Sequence, residues 1–305
     1  MPKELYLKDL IQAGLPFEHF REITAGWSGD RKYYVETGAG LPCLLRVSDI
    51  SQETKRAREF HHMQELFARG IPMSEPLALG RLEEHLCVYT LLGWLPGESA
   101  EAVLPGLAES EQYRLGVQAG RILLQIHSVA APQILPSWQE RFNAKIDRKI
   151  KMYHDCPLRF KDDRFFFECL TEESRVLLAD RPQVLQHGDY HVGNMLIGDA
   201  GQLLIIDWDR MDYGDPWEEF NRIVWSAQAC PAFARGQIDG YFDGAPPAEF
   251  FRLLALYLSS NQLSALAWAL PFGQDEVNTM LRQGGELIEW YRERPDLIPR
   301  WYLGV

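Results

Sequence analysis

A short stretch of the sequence, from His187 to Asp207, carries oxygen-bearing side chains suited to binding a metal ion and accepting a proton. Asn194 precedes one apolar run and Asp207 follows another, with the turn residues Gly198–Gly201 between the two runs. This pattern predicts a β-hairpin. Residues symmetric about a hairpin turn lie opposite each other, so we expect Asn194 and Asp207 side by side at its open end.

The chemistry of these side chains favours a reaction at a hydroxyl group beside a metal ion. An amide oxygen next to a carboxylate forms a hard-oxygen site of the kind that Mg²⁺ binds, together with water and phosphate oxygens. Asp189 lies in a loop at the same end of the hairpin, where it could accept a hydroxyl proton. A single loop aspartate is usually a turn former, so the prediction depends on all three residues occurring together around one hairpin.

The elements that must position these side chains begin with a β-rich segment. From Glu22 to Leu45, short β-branched and aromatic runs alternate with glycine-rich turns, which predicts antiparallel strands. A helix is predicted from Ser51 to Arg69, because apolar residues recur there at helical spacing and Gly70 follows. Two more strands are predicted in the segments LALGRL and HLCVYTLLGWL.

The rest of the sequence, from Ser110 onward, is mostly helical apart from the predicted hairpin. We therefore predict an α+β protein with two lobes. The N-lobe covers residues 1–93 and holds a small antiparallel sheet with one main helix. The larger, mostly helical C-lobe covers residues 94–305, and a hinge at about residues 89–95 joins the two.

Composition and charge narrow the classes of partner. The 305 residues carry 31 Lys and Arg against 43 Asp and Glu, a net charge of −12. This acidity disfavours nucleic acid and anionic membranes, since phosphate binding needs positive charge. Five cysteines without a C-x-x-C pair favour reduced thiols, and the N-terminal residues have no signal pattern. We therefore expect a cytoplasmic protein, monomeric or homodimeric, with no membrane partner.

The motifs around the hairpin resemble those of the aminoglycoside phosphotransferase and choline kinase-like small-molecule kinases, which have a protein-kinase-like fold. The H-G-D-x-x-x-x-N motif reads His187–Asn194 here, and the I-D-W/F-[DE] motif reads Ile206–Asp209. The resemblance covers nearly the whole chain. It implies that Asp189 deprotonates an acceptor hydroxyl, and that Asn194 and Asp207 hold Mg²⁺ on the phosphates of ATP or GTP.

The same resemblance implies roles for residues outside the metal site. His187 and Asp215 would support the catalytic loop. The nucleotide would be bound in the N-lobe by the residues Gly26, Ser28, Gly29, Arg46, Glu59, Thr90, Leu91 and Leu92. Arg46 stands where most members have a phosphate-binding lysine, and we expect Glu59 to be its helix partner, with Glu53 as the alternative.

The acceptor is predicted to be a small cationic molecule. Residues 189–219 hold eight acidic side chains and one basic one, and Asp209, Asp212 and Glu218 are the predicted substrate-binding residues. An aminoglycoside or related antibiotic, with resistance as the outcome, is the acceptor that the resemblance favours. Choline, ethanolamine, homoserine and sugar kinases share the loop and remain alternatives.

Two other classes of protein are disfavoured. Gly188 replaces the arginine of the protein-kinase H-R-D motif, and the sequence has no D-F-G to A-P-E segment. A nucleotide-binding pseudokinase would be expected to lack Asp189, Asn194 or Asp207, and all three are present.

Overall fold

A five-stranded antiparallel sheet forms where short apolar runs alternate with glycine-rich turns. In the computed structural model, which describes residues 17–24, 29–82 and 86–304, the strands are β1 Phe17–Ile23, β2 Arg31–Thr37, β3 Pro42–Asp49, β4 Pro76–Leu82 and β5 Cys87–Gly93. Their spatial order is β1-β2-β3-β5-β4. Alternate residues such as Tyr33, Val35 and Leu45 form one buried face, as the two-residue period of a strand requires.

One long helix accompanies this sheet, as the sequence predicts. Helix α1 (Glu53–Ala68) buries Phe60, Met63 and Leu66 at helical spacing. It ends before Gly70, whose φ of +82° is a left-handed conformation that favours glycine.

The remainder of the described chain is mostly helical. The helices are α2 Ala100–Val103, α3 Glu109–Ile126, α4 Trp138–Asp155, α5 Arg164–Glu168, α6 Glu172–Arg175, α7 Ile223–Ala229, α8 Pro231–Phe242, α9 Ala248–Leu263, α10 Ala265–Ala269, α11 Gln274–Tyr291 and α12 Arg300–Leu303. Short 3₁₀ helices occur at Ile50–Gln52, Leu104–Gly106, Val176–Leu178, Val192–Asn194, Glu218–Arg222 and Leu270–Phe272. The predicted α+β class is confirmed.

Five short strands lie outside the large sheet: β6 Glu98–Ser99, β7 Val184–Gln186, β8 Met195–Ile197, β9 Leu203–Ile205 and β10 Asp212–Gly214. β8 and β9 confirm the predicted hairpin, whereas the antiparallel β7–β10 pair was not predicted. The closing bond, 2.9 Å from Gly198 N to Gln202 O, centres the hairpin on Ala200. The predicted register is therefore wrong: symmetry about Ala200 no longer matches Asn194 with Asp207, which follows the end of β9 with a φ of 65°.

The chain forms two compact units whose limits differ from the predicted lobes. The first unit contains Met1–Glu98 and Leu196–Asp209, and the second contains Ser99–Met195 and Arg210–Val305. Most of the hairpin thus belongs to the first unit, although it was predicted within the C-lobe. Its second strand contacts the segment before β4, where Ile205 N donates to the carbonyl oxygen of Pro72 over 2.8 Å.

One stretch of the described residues, Ala248–Phe272, is long and apolar enough to cross a membrane by length and composition alone. Of its most apolar window, 72% is buried inside the protein. Leu253, Leu254 and Leu256 are fully buried there. A core helix of a globular protein has this composition too, so the stretch is weak evidence for a membrane span.

Helices α3 and α8 pack with their backbones in direct contact. Gly116 and Gly120 on α3 meet Gly236 and Gly240 on α8. A Cβ atom on Gly120 would lie 2.2 Å from the carbonyl oxygen of Gln237, far inside van der Waals contact. The crossing of these two helices therefore requires glycine. It also fixes the position of α3, whose residue Ala119 binds the loop between β7 and β8.

We expect Gly120→Ala to destabilise the protein by about 2 kcal/mol, because the added methyl group must separate two helices. The matched control is Gly285→Ala on α11, where an added Cβ meets nothing within 4 Å. That variant should be stabilised by up to about 1 kcal/mol, since alanine favours helix. Urea unfolding measures both, and equal midpoints for the two variants would contradict the packing described here.

Candidate active site

The loop between β7 and β8 is fixed by hydrogen bonds to buried groups of the second unit. Gly188 has a φ of +85°, and a Cβ there would lie 2.0 Å from the carbonyl oxygen of Arg210, so only glycine fits. Its N–H donates to the Glu219 carboxylate over 2.9 Å. The buried Tyr190 hydroxyl donates to the carbonyl oxygen of Ala119 on α3 over 2.8 Å. These contacts fix the backbone on both sides of Asp189.

The carboxylate of Asp189 lies partly exposed among cationic groups of the same unit. Arg222 Nε lies 3.1 Å from its Oδ1 atom, and Arg210 Nε lies 3.7 Å from its Oδ2 atom. His191 Nε2 is 3.8 Å away, and burial, helped by Arg222, lowers the pKa of this histidine to about 4. His191 is therefore neutral near pH 7, and the two arginines supply the positive charge beside Asp189.

Asn194 has the orientation that a metal ligand needs. Its amide nitrogen donates to the Asp189 carbonyl oxygen over 2.9 Å and lies 3.4 Å from His191 Nε2. The amide nitrogen of Asn194 therefore faces the loop, and its amide oxygen is left for another partner. An oxygen of this kind suits Mg²⁺.

The two residues predicted to support the loop are both fully buried, with 0% exposure. His187 accepts a hydrogen bond from the Asp189 N–H over 3.3 Å. Asp215 accepts two bonds from Arg181, of 2.8 and 2.9 Å, and one from the Tyr257 hydroxyl. Its carbonyl oxygen accepts from Gln186, so Asp215 fixes the strand that leads into His187.

A buried chain of alternating charges crosses the first unit. Arg46 pairs with Asp209 over 2.8 Å and also with Asp30. Asp30 binds Arg56 over 2.7 Å, and Arg56 in turn binds Glu59. The predicted Arg46–Glu59 pair is therefore wrong, because Arg56 lies one helical turn before Glu59 and takes its carboxylate. The alternative, Glu53, pairs with Arg81 instead.

Asp207 lies next to Asp209, the last carboxylate in this series of ion pairs. Burial and the neighbouring Asp209 carboxylate raise the pKa of Asp207. Burial also opposes ionisation of Asp209, but Arg46 outweighs it and lowers the pKa of Asp209 to about 2. Asp209 is thus the carboxylate that Arg46 neutralises, and Asp207 remains as the half-buried carboxylate whose charge a cation would stabilise.

The three acidic residues predicted to bind the acceptor differ in their ion-pair partners and in their exposure. Asp209 is bound by Arg46, and the buried Glu218 accepts from Lys145 over 2.7 Å. Burial opposes ionisation of Glu218, yet Lys145 lowers its pKa overall. Each carboxylate therefore already has a counter-ion, and the predicted substrate contacts of Asp209 and Glu218 stay predictions. Asp212 keeps a side chain that is 65% exposed, with Arg141 at 3.7 Å.

The predicted nucleotide-binding residues also differ in their placement. Gly26 and Ser28 lie outside the described residues, whereas Gly29 lies in a bend where an added Cβ would meet nothing within 4 Å. Thr90–Leu92 lie inside β5, which pairs with β3 on one side and β4 on the other. The backbone of β5 is thus hydrogen-bonded within the sheet on both sides, and the adenine contacts predicted at Thr90–Leu92 stay a prediction.

Clusters of three or more His, Cys, Asp or Glu side chains that could hold a metal ion do not occur within the described ranges. This excludes a preformed cage of that composition in the described part of the protein. A Mg²⁺ site made from one amide oxygen and one carboxylate does not need such a cage, because water and phosphate oxygens supply its other ligands.

The architecture and the loop define the protein as a phosphotransferase of the protein-kinase-like type. A family model described as "Phosphotransferase enzyme family" (APH) matches residues 19–251, and the chain belongs to this family. The predicted family and the predicted class of enzyme, a small-molecule kinase, are confirmed. A comparison with curated proteins found no significant match to this sequence.

Several solved structures share the fold at low sequence identity. Aminoglycoside phosphotransferase APH(4)-Ia, as a thermostable mutant, has a TM-score of 0.66 at 19% identity, covering 93% of this chain and 98% of its own. Macrolide 2'-phosphotransferase MphH from Brachybacterium faecium has a TM-score of 0.63 at 18% identity, covering 91% and 96%. The amicoumacin kinase hAmiN, in complex with AMP-PNP, Ca²⁺ and Ami, has 0.66 at 14%, covering 98% and 97%.

Sequence reasoning missed three residues that contact predicted site residues: Asp30 and Arg56 in the first unit and Arg222 in the second. Asp30 directly follows Gly29 in the segment predicted to bind the nucleotide, but its own side chain was not among the predicted residues. Arg56 lies three residues before Glu59 on α1, a spacing that brings two helix side chains together. That i, i+3 spacing was the available signal. Arg222 carried no signal, because its approach to Asp189 depends on the 3₁₀ helix Glu218–Arg222.

We expect Asp30→Ala to destabilise the protein by about 3 kcal/mol, because it leaves Arg46 and Arg56 buried without their shared counter-ion. The matched control is Glu53→Ala, which breaks the Arg81–Glu53 pair whose side chains are 56% and 35% exposed. An exposed pair is worth about 1 kcal/mol or less. Urea unfolding of the two variants measures the difference, and losses of the same size would show that the buried chain is dispensable.

Proposed function

We propose that this protein transfers the γ-phosphoryl group of ATP to a hydroxyl group of a small molecule, with Mg²⁺ as the cofactor. The observation that carries the proposal is the loop around Asp189. Its backbone is fixed by Gly188, Tyr190 and their buried partners, and the main-chain carbonyl oxygen of Asp189 accepts from the Asn194 amide. The Asp189 carboxylate itself stays partly exposed. This is the arrangement that a base for a hydroxyl group requires.

In the proposed reaction, Asp189 accepts the proton of the acceptor hydroxyl as the oxygen bonds to the γ-phosphorus. The bond from that phosphorus to the β-phosphate oxygen breaks, and ADP leaves. Catalysis of this kind depends mainly on positioning and charge stabilisation. The fixed loop backbone contributes the positioning, since it leaves the Asp189 side chain few orientations.

Asn194 and Asp207 are the residues we propose as ligands of Mg²⁺. The amide nitrogen of Asn194 is bonded to the loop, which leaves its oxygen for another partner. Burial and the neighbouring Asp209 carboxylate raise the pKa of Asp207, and a bound cation would stabilise its charge. When bound, the metal would neutralise charge on the phosphate oxygens. The donor set consists of hard oxygens and therefore fits this cation.

The nucleotide is proposed to bind to the first unit. Two nitrogens of Arg46 bind Asp30 and Asp209, while its Nη1 atom makes no hydrogen bond within the described residues. We propose that Nη1 contacts a phosphate and that Glu59 acts only indirectly, through Arg56 and Asp30. Related structures hold ADP or AMP-PNP, which supports an adenine nucleotide, with GTP as an alternative.

The acceptor is proposed as a small molecule with a hydroxyl group. Aminoglycoside and macrolide antibiotics, the compound classes in the names of the neighbours, are the acceptors to test first. The predicted cationic character has weakened support, because Asp209 and Glu218 carry counter-ions and only Asp212 is exposed. Choline, homoserine and sugars remain in the panel, and the cytoplasm, where ATP is abundant, remains the proposed location.

We expect Asp189→Ala to lower turnover by about a hundredfold or more, since the hydroxyl proton loses its acceptor. Binding of ATP should persist, because the proposed nucleotide contacts lie on the first unit. The matched control is Asp199→Ala in the turn of the hairpin, which should retain activity. ADP release across the acceptor panel and ATP binding by calorimetry are the measurements; turnover by Asp189→Ala near the level of Asp199→Ala would refute the assigned base.

We expect removal of divalent cations by a chelator to stop ADP release, and added Mg²⁺ to restore it, since phosphate charge would lack neutralisation. Asn194→Ala and Asp207→Asn should each raise the Mg²⁺ concentration needed for half-maximal activity. An unchanged requirement in both variants would place the metal elsewhere. A protein that binds ATP yet phosphorylates nothing in the panel would instead behave as a pseudokinase.

A further inference from the structure

The segment Glu218–Ser226 lies beside the loop that carries the proposed base and bonds to its main chain at two points. Glu219 Oε1 accepts from the Gly188 N–H over 2.9 Å, and Ser226 Oγ accepts from the Val192 N–H over 3.1 Å. Glu219 and Ser226 are both buried, so water does not compete strongly for either bond. The main chain is therefore held on both sides of the base.

These two bonds do not fix the carboxylate of Asp189. A held main chain still leaves an aspartate side chain a choice among its staggered rotamers. The rotamer decides which carboxylate oxygen faces a hydroxyl group, and proton transfer needs the reacting atoms in one defined arrangement. A base in this loop therefore requires a further contact at its side chain.

Arg222, in the same segment, makes that contact. Its Nε atom lies 3.1 Å from Asp189 Oδ1, and the Arg222 side chain is 24% exposed. The Nε–H makes no hydrogen bond within the described residues, so the contact is an ion pair. A partly buried guanidinium group thus lies against one oxygen of the proposed base.

The other groups near this carboxylate are less suited to hold it. Arg210 Nε lies 3.7 Å from Asp189 Oδ2, and 47% of the Arg210 side chain is exposed, where an ion pair contributes little. His191 Nε2 lies 3.8 Å from Oδ1. Arg222 is therefore the nearest and the best shielded of these partners, and Oδ2 has the longer and more exposed contact.

We propose that Arg222 is a positioning residue of the phosphotransferase reaction, in which its guanidinium group holds Oδ1 of Asp189 and leaves Oδ2 to accept the proton of the acceptor hydroxyl. The inference rests on the proposed function and assigns the orientation of its base to one side chain. Arg222 takes no proton itself, because arginine stays charged. The segment Glu218–Ser226 then sets both the main chain and the side chain of the base.

Carbodiimide labelling of the native enzyme tests this contact without an acceptor. The reagent, with glycine methyl ester as the nucleophile, converts accessible carboxylates to amides, and mass spectrometry measures the rate at Asp189. We expect Arg222→Gln to raise that rate about fivefold, because a carboxylate released from an ion pair is more accessible. Asp199, exposed in the hairpin turn, is the internal reference.

Two further variants make the labelling specific. Arg252→Gln, at an exposed position of α9, should leave the rate at Asp189 unchanged. Equal rates at Asp189 in the native enzyme and in Arg222→Gln would overturn the inference. An increase that occurs only in Arg210→Gln would also overturn it, by assigning the carboxylate to the other arginine.

Steady-state kinetics with an acceptor that supports ADP release measure the consequence for the reaction. Arg222→Gln should lower kcat about tenfold, since a displaced base slows the chemical step, with little change in KM for ATP or the acceptor. Arg222→Lys keeps the charge and should recover part of the loss, at an unchanged urea midpoint. A raised KM for the acceptor at native kcat would overturn the inference by making Arg222 a substrate contact.

The two measurements separate this inference from the function it rests on. If the native enzyme releases no ADP with any acceptor, only the proposed function is refuted, because the labelling rates still decide whether Arg222 holds the Asp189 carboxylate. An active enzyme whose Arg222→Gln variant keeps the native labelling rate and the native kcat would refute the role of Arg222 and leave the function.

Discussion

The requirement that a buried charge be matched by an opposite charge organises the first unit of this protein. Arg46 lies in the middle of β3, where water cannot compensate its charge, and Asp30 and Asp209 supply the compensation. Asp30 is shared with Arg56, which in turn binds Glu59. The turn before β2, helix α1 and the segment after β9 are therefore tied to one strand by a single series of ion pairs. Breaking any member removes a buried counter-ion from its neighbour, which costs more than losing an exposed pair.

Motifs whose geometry is local were predictable from the sequence. The loop from His187 to Asn194 and the hairpin of β8 and β9 depend on turn chemistry and on spacing, both of which are written in consecutive residues. Helix α1 and strands β2 to β5 follow from local sequence patterns, whereas most of β1 (Phe17–Ile23) lies before the first segment predicted to form strands. The β7–β10 pair was missed because strands of three residues show no alternation to detect.

Features that depend on the meeting of distant side chains were not predictable. Arg46 meets Asp209 across 163 positions of sequence, and nothing in either segment identifies the partner. Glu59 was chosen for Arg46 by its place on the helix, but Arg56 on the previous turn is closer to it. The charge around Asp189 could not be predicted from the sequence for the same reason. A net charge of −12 describes the whole chain, whereas the side chains beside Asp189 are mostly cationic, because the nearby acids are already paired.

The assignment of Leu196–Asp209 to the first unit has a consequence for how the protein can be divided. The chain leaves the first unit after Glu98, returns to it at Leu196 and leaves again after Asp209, so three peptide connections join the units. A fragment that ends at Glu98 lacks the strand whose Ile205 N–H binds Pro72, and the remaining fragment keeps the β8–β9 hairpin without that partner. Cutting the chain at a single point would therefore yield two incomplete pieces, and an exchange of the whole first unit must include both of its segments.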